Sequence, residues 1–203
     1  MAKKTLSENP REELTAVLVK PDGVKRGLIG EVIARIEKRG LKIVSLEMIW
    51  AKRDQIDKHY PKDKKWITRL GEKTLASYKK YGINARKEME TEDSFKIGQM
   101  VRGWLLDYLT SGPMVKMVVK GNHAIEMVRK MAGDTMPAQA ELGTIRGDYS
   151  VDDPGIANRE KRAVYNIVHV SETPEEADHE IHFWFAIEDI FEYDTIVNEP
   201  KLS

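Results

Sequence analysis

The sequence predicts an α+β fold, a four-stranded antiparallel sheet with helices packed on it. Three observations predict it: short apolar runs bounded by turn residues, apolar positions at helical spacing between them, and the order strand, helix, strand, strand, helix, strand. Residues 14–20, Leu-Thr-Ala-Val-Leu-Val-Lys, form an apolar run closed by Pro21-Asp22-Gly23, which predicts a buried strand ending in a turn. Over 28–39 the residues Leu28, Val32, Ile33 and Ile36 recur at helical spacing, and Gly40 supplies a C-terminal cap. A second strand is predicted over 41–50 and a third over 114–119, after Ser111-Gly112-Pro113. The second core helix spans 123–132 and is closed by Gly133, and the last strand runs over 164–169. A final helix begins at Thr173 as N-cap, with Pro174 at its first position and Glu176 completing a capping box. Its apolar face carries Ala177, Ile181, Trp184 and Phe185.

This order is the ferredoxin-like βαββαβ arrangement, with helices expected on one face of the sheet. Two stretches stand outside the minimal plan. Residues 61–98, rich in charge with Trp66, Leu70, Leu75 and Tyr78, predict a helical insertion; residues 149–161 lack periodicity and predict a surface loop. The whole chain, 1–203, reads as one domain carrying these two insertions, in keeping with a length of 203 residues.

Lys plus Arg and Asp plus Glu both total 33, so no global field favours nucleic acid or an anionic membrane, and any basic site is local. The absence of cysteine excludes disulfides, thiolate metal sites and cysteine nucleophiles. Met1-Ala2-Lys3-Lys4 is followed by polar residues, and no apolar run approaches the roughly 18 residues of a membrane span. The expectation is a soluble, cytoplasmic protein with neither a membrane nor a nucleic-acid partner.

Several residues carry potential chemistry. Lys20 places an ammonium at the end of a buried strand beside a rigid turn. Gly143-Thr144-Ile145-Arg146-Gly147-Asp148 reads as a loop whose glycines let backbone approach a ligand and whose arginine offers a planar fork to phosphate oxygens. Arg129, off the apolar stripe of its helix, and Thr135, just past Gly133, are placed to reach the same anion. His169 ends the last strand within Asn166-Ile167-Val168-His169-Val170-Ser171-Glu172. A lone strand-end histidine is more often structural, but Glu180 lies in the second turn of the following capped helix. A carboxylate on one ring nitrogen leaves the other free as a nucleophile, with Ser171 as a nearby hydroxyl partner. Asn166 and His169 are three apart, so a regular strand would point them to opposite faces. Both can touch one ligand only if the strand ends or bulges between them.

Taken together and in this order, these motifs resemble those of nucleoside diphosphate kinases, over nearly all of residues 13–193. The resemblance implies that Lys20 binds phosphate, that Tyr60 of His59-Tyr60 stands beside the nucleophile, and that Arg129, Thr135 and Arg146 clamp the nucleotide phosphates. It implies further that Asn166 contacts the sugar hydroxyl and phosphate region, and that His169 is the phosphorylated nucleophile supported by Ser171 and Glu180. The implied reaction is ping-pong: ATP with Mg²⁺ donates its γ-phosphoryl to His169, and a nucleoside diphosphate then takes it. Mg²⁺ would be held by phosphates and water, without protein metal ligands. A homo-oligomer, hexamer or tetramer, is also implied.

The sequence departs from the family's Asn-x-x-His-Gly-Ser-Asp at Val170 and Glu172. Ungapped counting back from Ser111 finds Val101 where the family commonly has a base-stacking aromatic, so Val101, or Trp66 or Phe95 of the insertion, is the candidate base contact. Three rival readings weigh less. A nucleotide sensor has no need of the nucleophile and its orienter. An RNA-binding sheet fits poorly with zero net charge and few strand aromatics. A metal site from His179 and His182 lacks a third ligand.

Overall fold

The computed structural model describes residues 12–194, and the N-terminal stretch read above for targeting signals lies outside them. Strand β1 (Glu12–Val19) leads into the short helix α1 (Pro21–Lys25), then α2 (Ile29–Lys38) and β2 (Lys42–Ile49). Helices α3 (Arg53–His59), α4 (Lys64–Lys80), α5 (Ala85–Met89) and α6 (Ser94–Thr110) precede β3 (Met114–Asn122) and α7 (Ala124–Ala132). Two short helices, α8 (Ile145–Tyr149) and α9 (Pro154–Arg159), come before β4 (Val168–Val170) and α10 (Pro174–Trp184). The sheet order is β2-β3-β1-β4, every neighbouring pair antiparallel. No helix among the described residues is long and apolar enough to cross a membrane.

Helices cover both faces of the sheet, not the single face expected. On one face Val17, Val19, Val115 and Met117 pack with Val32 and Ile36 of α2 and Val128 of α7. On the other, Ala16, Leu18, Met114 and Val118 pack with Ile56 of α3, Leu109 of α6, and Ile181 and Trp184 of α10. The physical reason is visible in the strands: residues 16–19 and, Lys116 apart, 114–119 are apolar on both sides of the pleat, a pattern that needs cover above and below.

Between β2 and β3, α4 starts at Asp63, whose carboxylate accepts from Trp66 N at 2.8 Å, and α6 starts at Asp93, which accepts from Lys96 N at 2.8 Å. The two helices meet backbone to backbone: a Cβ on Gly71 would collide with the Ser94 carbonyl oxygen, and one on Gly98 with that of Ile67. Around this crossing Tyr78, Met89 and Ile97 form a small core of their own. The stretch 149–161 is not the loop expected. Asp153 caps α9 through Gly155 N and Ile156 N, Pro154 sits in its first turn, and Ala157 is fully buried. Tyr78 of α4 donates to Asn158 O at 3.4 Å, so the two irregular stretches brace one another. A six-residue helix is too short to announce itself by periodicity.

The last strand is also shorter than its apolar run, starting at Val168. Val168 N donates to Asn166 O at 2.7 Å, and Ile167 lies at φ +67°, a left-handed turn that ends strand geometry there.

Gly98→Ala should lower unfolding stability by about 3 kcal/mol, since the obstructing atom is backbone and neither helix can yield without losing its packing. Urea denaturation reads this directly; an unchanged midpoint would contradict the crossing described.

Candidate active site

The left-handed Ile167 resolves the conflict between Asn166 and His169. His169 pairs with Leu18 across β1 and β4, which places it on the sheet face covered by α3 and α10. The turn at 167 lets Asn166, three residues earlier, enter the same cleft of about 660 Å³, which Lys20, Arg129, Thr135 and Arg146 also line.

A β-branched residue in this conformation is strained by about 1–3 kcal/mol, so its surroundings must hold it. Lys20 and the short helix α1 that follows it do so at several points. Lys20 N donates to Ile167 O at 2.7 Å, and Lys20 Nζ donates to Asn166 Oδ1 at 2.6 Å. Ile167 N donates to Asp22 Oδ2 at 3.1 Å, while Tyr108 of α6 donates its hydroxyl to Asp22 Oδ1 at 2.5 Å. Gly23 leaves room for this approach, because a Cβ there would lie 2.9 Å from Val19 Cγ1 and 3.1 Å from Ile167 O.

Arg146 fastens the same segment from the other side. It is not in a loop as expected but in α8, whose N-cap Thr144 accepts from Gly147 N at 3.1 Å. Buried at 5 % exposure, its guanidinium donates to Gly133 O at 2.7 Å, Val168 O at 2.8 Å and Asn166 O at 3.2 Å. Burial pushes its pKa down to about 10, which still leaves it charged at neutral pH. Arg129 donates to Glu172 O at 3.2 Å, and the Thr135 carbonyl accepts from Asn166 Nδ2 at 2.9 Å.

His169 Nε2 meets Glu180 Oε1 at 2.5 Å, and Ser171 Oγ donates to Glu180 Oε2 at 2.7 Å. Ser171 Oγ in turn accepts from Ala16 N at 3.3 Å, so the carboxylate is anchored to the central strand. Burial works to raise the Glu180 pKa, but the hydrogen bonds from His169 and Ser171 overcome it and hold the carboxyl below its ordinary value. Glu180, at 4 % side-chain exposure, lies behind the ring, whereas His169 retains 21 %. With Nε2–H directed at the carboxylate, Nδ1 is the ring nitrogen left with a lone pair for chemistry.

The ring of His59, tilted against that of Tyr60 at 4.9 Å, stands edge-on to His169 at 5.3 Å and 87°. His59 Nε2 lies 4.0 Å from Glu180 Oε1. Burial first, then the His169 charge, pushes the His59 pKa down to about 3, so it forms a neutral wall. Tyr60 is partly buried, and burial followed by the Glu180 charge pushes its phenol up. Asp22 and Tyr108 are the other residues the sequence reading left without a role; the quoted Pro-Asp-Gly turn was the available signal for the first.

Val101 does not line the cleft but packs on the Tyr78, Met89 and Ile97 cluster. Trp66 stacks near Tyr60 at 5.9 Å, and Phe95 lies under Lys64 at 5.8 Å, so these aromatics are likewise absent from the cleft lining. His182 Nδ1 meets its own helix at Asp178 O, and His179 stacks on Phe183, so these two do not converge. Among the described residues, the group whose potential ligand atoms come within 4.8 Å of one another is His59, His169 and Glu180. Its closest pair is already joined by a hydrogen bond.

Lys20 is 6 % exposed, and burial, then the neighbouring Arg146, pushes its pKa from 10.5 down to about 7. Between pH 7 and 10.5 the unfolded chain therefore binds more protons than the folded one, and stability rises with pH by up to about 1.4 kcal/mol per unit. In the absence of nucleotide, raising the pH from 7 to 9 should stabilise the wild type over Lys20→Met by about 2 kcal/mol in urea denaturation. Parallel pH dependences in the two proteins would contradict it.

Comparison with known proteins gives a consistent picture. The family model described as nucleoside diphosphate kinase matches residues 13–70 and 80–190. A nucleoside diphosphate kinase of Pyrobaculum aerophilum is 48% identical over 180 residues, covering 89% of this chain and 98% of the relative. One of Pyrococcus furiosus is 41% identical over 181 residues, covering 89% and 88%. Among solved structures, an NDP kinase from Pyrobaculum aerophilum superposes with a TM-score of 0.86 at 46% identity, covering 89% of this chain and all of that one. A nucleoside-diphosphate kinase from Borrelia burgdorferi, solved as a transition state mimic with bound vanadate and ADP, gives 0.73 at 31% identity, covering 93% and 95%.

Proposed function

The chain belongs to the nucleoside diphosphate kinase family, and from that premise we propose that its phosphoryl transfer runs through His169. The activity is that of a nucleoside diphosphate kinase, a phosphotransferase acting on nucleotides. The observation that carries the residue assignment is the imidazole held through Nε2 by a buried carboxylate, on a cleft that Lys20, Arg129 and Arg146 also line. The related structure with vanadate and ADP supports a phosphoryl acceptor in a cleft of this family.

In the first half-reaction the Nδ1 lone pair attacks the γ-phosphorus of ATP, the bond to the β,γ-bridging oxygen breaks, and ADP leaves. In the second, a β-phosphate oxygen of a nucleoside diphosphate attacks the same phosphorus, and the P–N electrons return to Nδ1. As Nδ1 gains its phosphoryl group the ring becomes cationic, and Glu180 with its Nε2 hydrogen bond stabilises that charge. Lys20, Arg129 and Arg146 neutralise the phosphate oxygens, Asn166 and Thr135 position the nucleotide, and Ser171 keeps Glu180 oriented. The partly buried Tyr60 supports the wall behind the ring. A divalent cation, Mg²⁺ in this proposal, fits as a passenger on the nucleotide's phosphates rather than in a protein cage, and when bound it would offset their charge.

We place residues 1–203 in one such domain, elaborated at 61–98 and 149–161, and acting in the cytoplasm. A homo-oligomer is supported by edge strand β2, which leaves Leu46, Met48 and the following Trp50 exposed. Leu46→Lys with Met48→Lys should shift the protein to a smaller species in sedimentation velocity; an unchanged distribution would remove β2 from the interface.

With γ-labelled ATP and Mg²⁺, the purified protein should take up an acid-labile, base-stable label that GDP or CDP removes. His169→Ala should take up none. Label persisting in that variant would move the nucleophile elsewhere.

A further inference from the structure

Helix α3 ends at His59, the residue whose ring backs the proposed nucleophile, and a helix C-terminus leaves carbonyl groups without partners inside the helix. Arg102, on α6, answers that need for this one segment. Its Nη2 donates to Asp57 O at 2.8 Å and Tyr60 O at 3.4 Å, its Nε donates to Pro61 O at 3.2 Å, and its Nη1 pairs with Asp57 Oδ1 at 2.8 Å. All three guanidinium nitrogens are thus used on residues 57–61. The Arg102 side chain is 13 % exposed, and its bonds to Asp57 and Tyr60 are partly buried. Its charge is also of the sign that a helix C-terminus favours.

From there the chain of contacts continues to the reacting ring. His59 packs edge-on against His169 and lies 5.4 Å from Trp184 of α10. Tyr60, the next residue, stacks near Trp66 of α4. The α4 and α6 helices therefore hold the His59-Tyr60 step from two sides, α6 through backbone carbonyls and α4 through an aromatic ring.

We propose that Arg102 is a positioning residue for phosphoryl transfer: by fixing the end of α3 it holds the His59 imidazole against the His169–Glu180 pair, and so ties the α4 and α6 helices to the nucleophile. The inference rests on the reading of His169 as that nucleophile. An unsupported His59 would let the His169 ring leave the line of attack without disturbing Lys20, Arg129 or Arg146, which bind phosphate from other elements. A lysine cannot replace the arginine, because one ammonium cannot span carbonyls at residues 57, 60 and 61 together with the Asp57 carboxylate.

The test is single-turnover phosphoenzyme formation from labelled ATP over a range of nucleotide concentrations, in wild type, Arg102→Ala, Arg102→Lys, His59→Ala and the Arg102→Ala/His59→Ala double variant, with melting temperatures alongside. Arg102→Ala should slow formation about tenfold at saturation, with half-saturation changed by less than about twofold. Arg102→Lys should not restore the rate, and the double variant should be no slower than the slower single variant, since both act through one ring. Lys62→Ala, which removes the other cation on Asp57, should leave the rate unchanged. An intact rate in Arg102→Ala, a loss confined to half-saturation or melting temperature, rescue by lysine, a rate loss in Lys62→Ala, or multiplying effects in the double variant would each overturn the proposal. Absence of label on His169 in the wild type would instead defeat the functional reading beneath it.

Discussion

The left-handed turn at Ile167 is the constraint on which the site depends. It costs energy for a β-branched residue, yet without it Asn166 and His169 would emerge on opposite faces of the sheet. The turn persists because its polar groups are taken from several directions: the Lys20 amide and Asp22 carboxylate from the end of β1, and Arg146 through the carbonyls of Asn166 and Val168. The same residues that shape the backbone are those that present positive charge to the cleft. Backbone geometry and electrostatics are therefore one arrangement, and a change to either disturbs both.

The charges are held at a cost to the fold. Lys20 is buried near Arg146, and its lowered pKa records how poorly that position suits a cation in the absence of an anion. In the proposed reaction a bound phosphate would offset that penalty and return part of the unfavourable free energy stored in folding. Behind the proposed nucleophile the logic is reversed. Glu180 is buried yet remains ionised because His169 and Ser171 direct hydrogen bonds at it, and neutral His59 closes the remaining side without adding a competing charge.

Much of this was legible in the sequence. Continuous apolar runs marked the strands, Thr173-Pro174 with Glu176 marked the start of α10, and Glu180 fell in the second turn of that helix, facing back to the preceding strand. The demand for an interruption between Asn166 and His169 was legible too. What stayed hidden was whatever depends on distant backbone: Arg146 meeting three carbonyls, Asp22 reaching Ile167, and Arg102 meeting the end of α3. Carbonyl groups leave no trace in a side-chain pattern. The cover on both sheet faces was implicit in strands apolar at successive positions, and α9 in the Asp153-Pro154 pair, but neither signal is periodic. Val101 illustrates the converse, since counting along an ungapped chain assigned it a ligand whereas the interior of the α4 and α6 pair claimed its side chain.

Glu180 occupies Nε2 of His169, which leaves Nδ1 for the proposed transfer. Nitrogen-15 and phosphorus-31 NMR of phosphoenzyme carrying labelled histidine distinguishes the two ring nitrogens by their coupling to phosphorus. The prediction is phosphorus on Nδ1 with Nε2 still protonated; phosphorus on Nε2 would mean that the ring is not held as described.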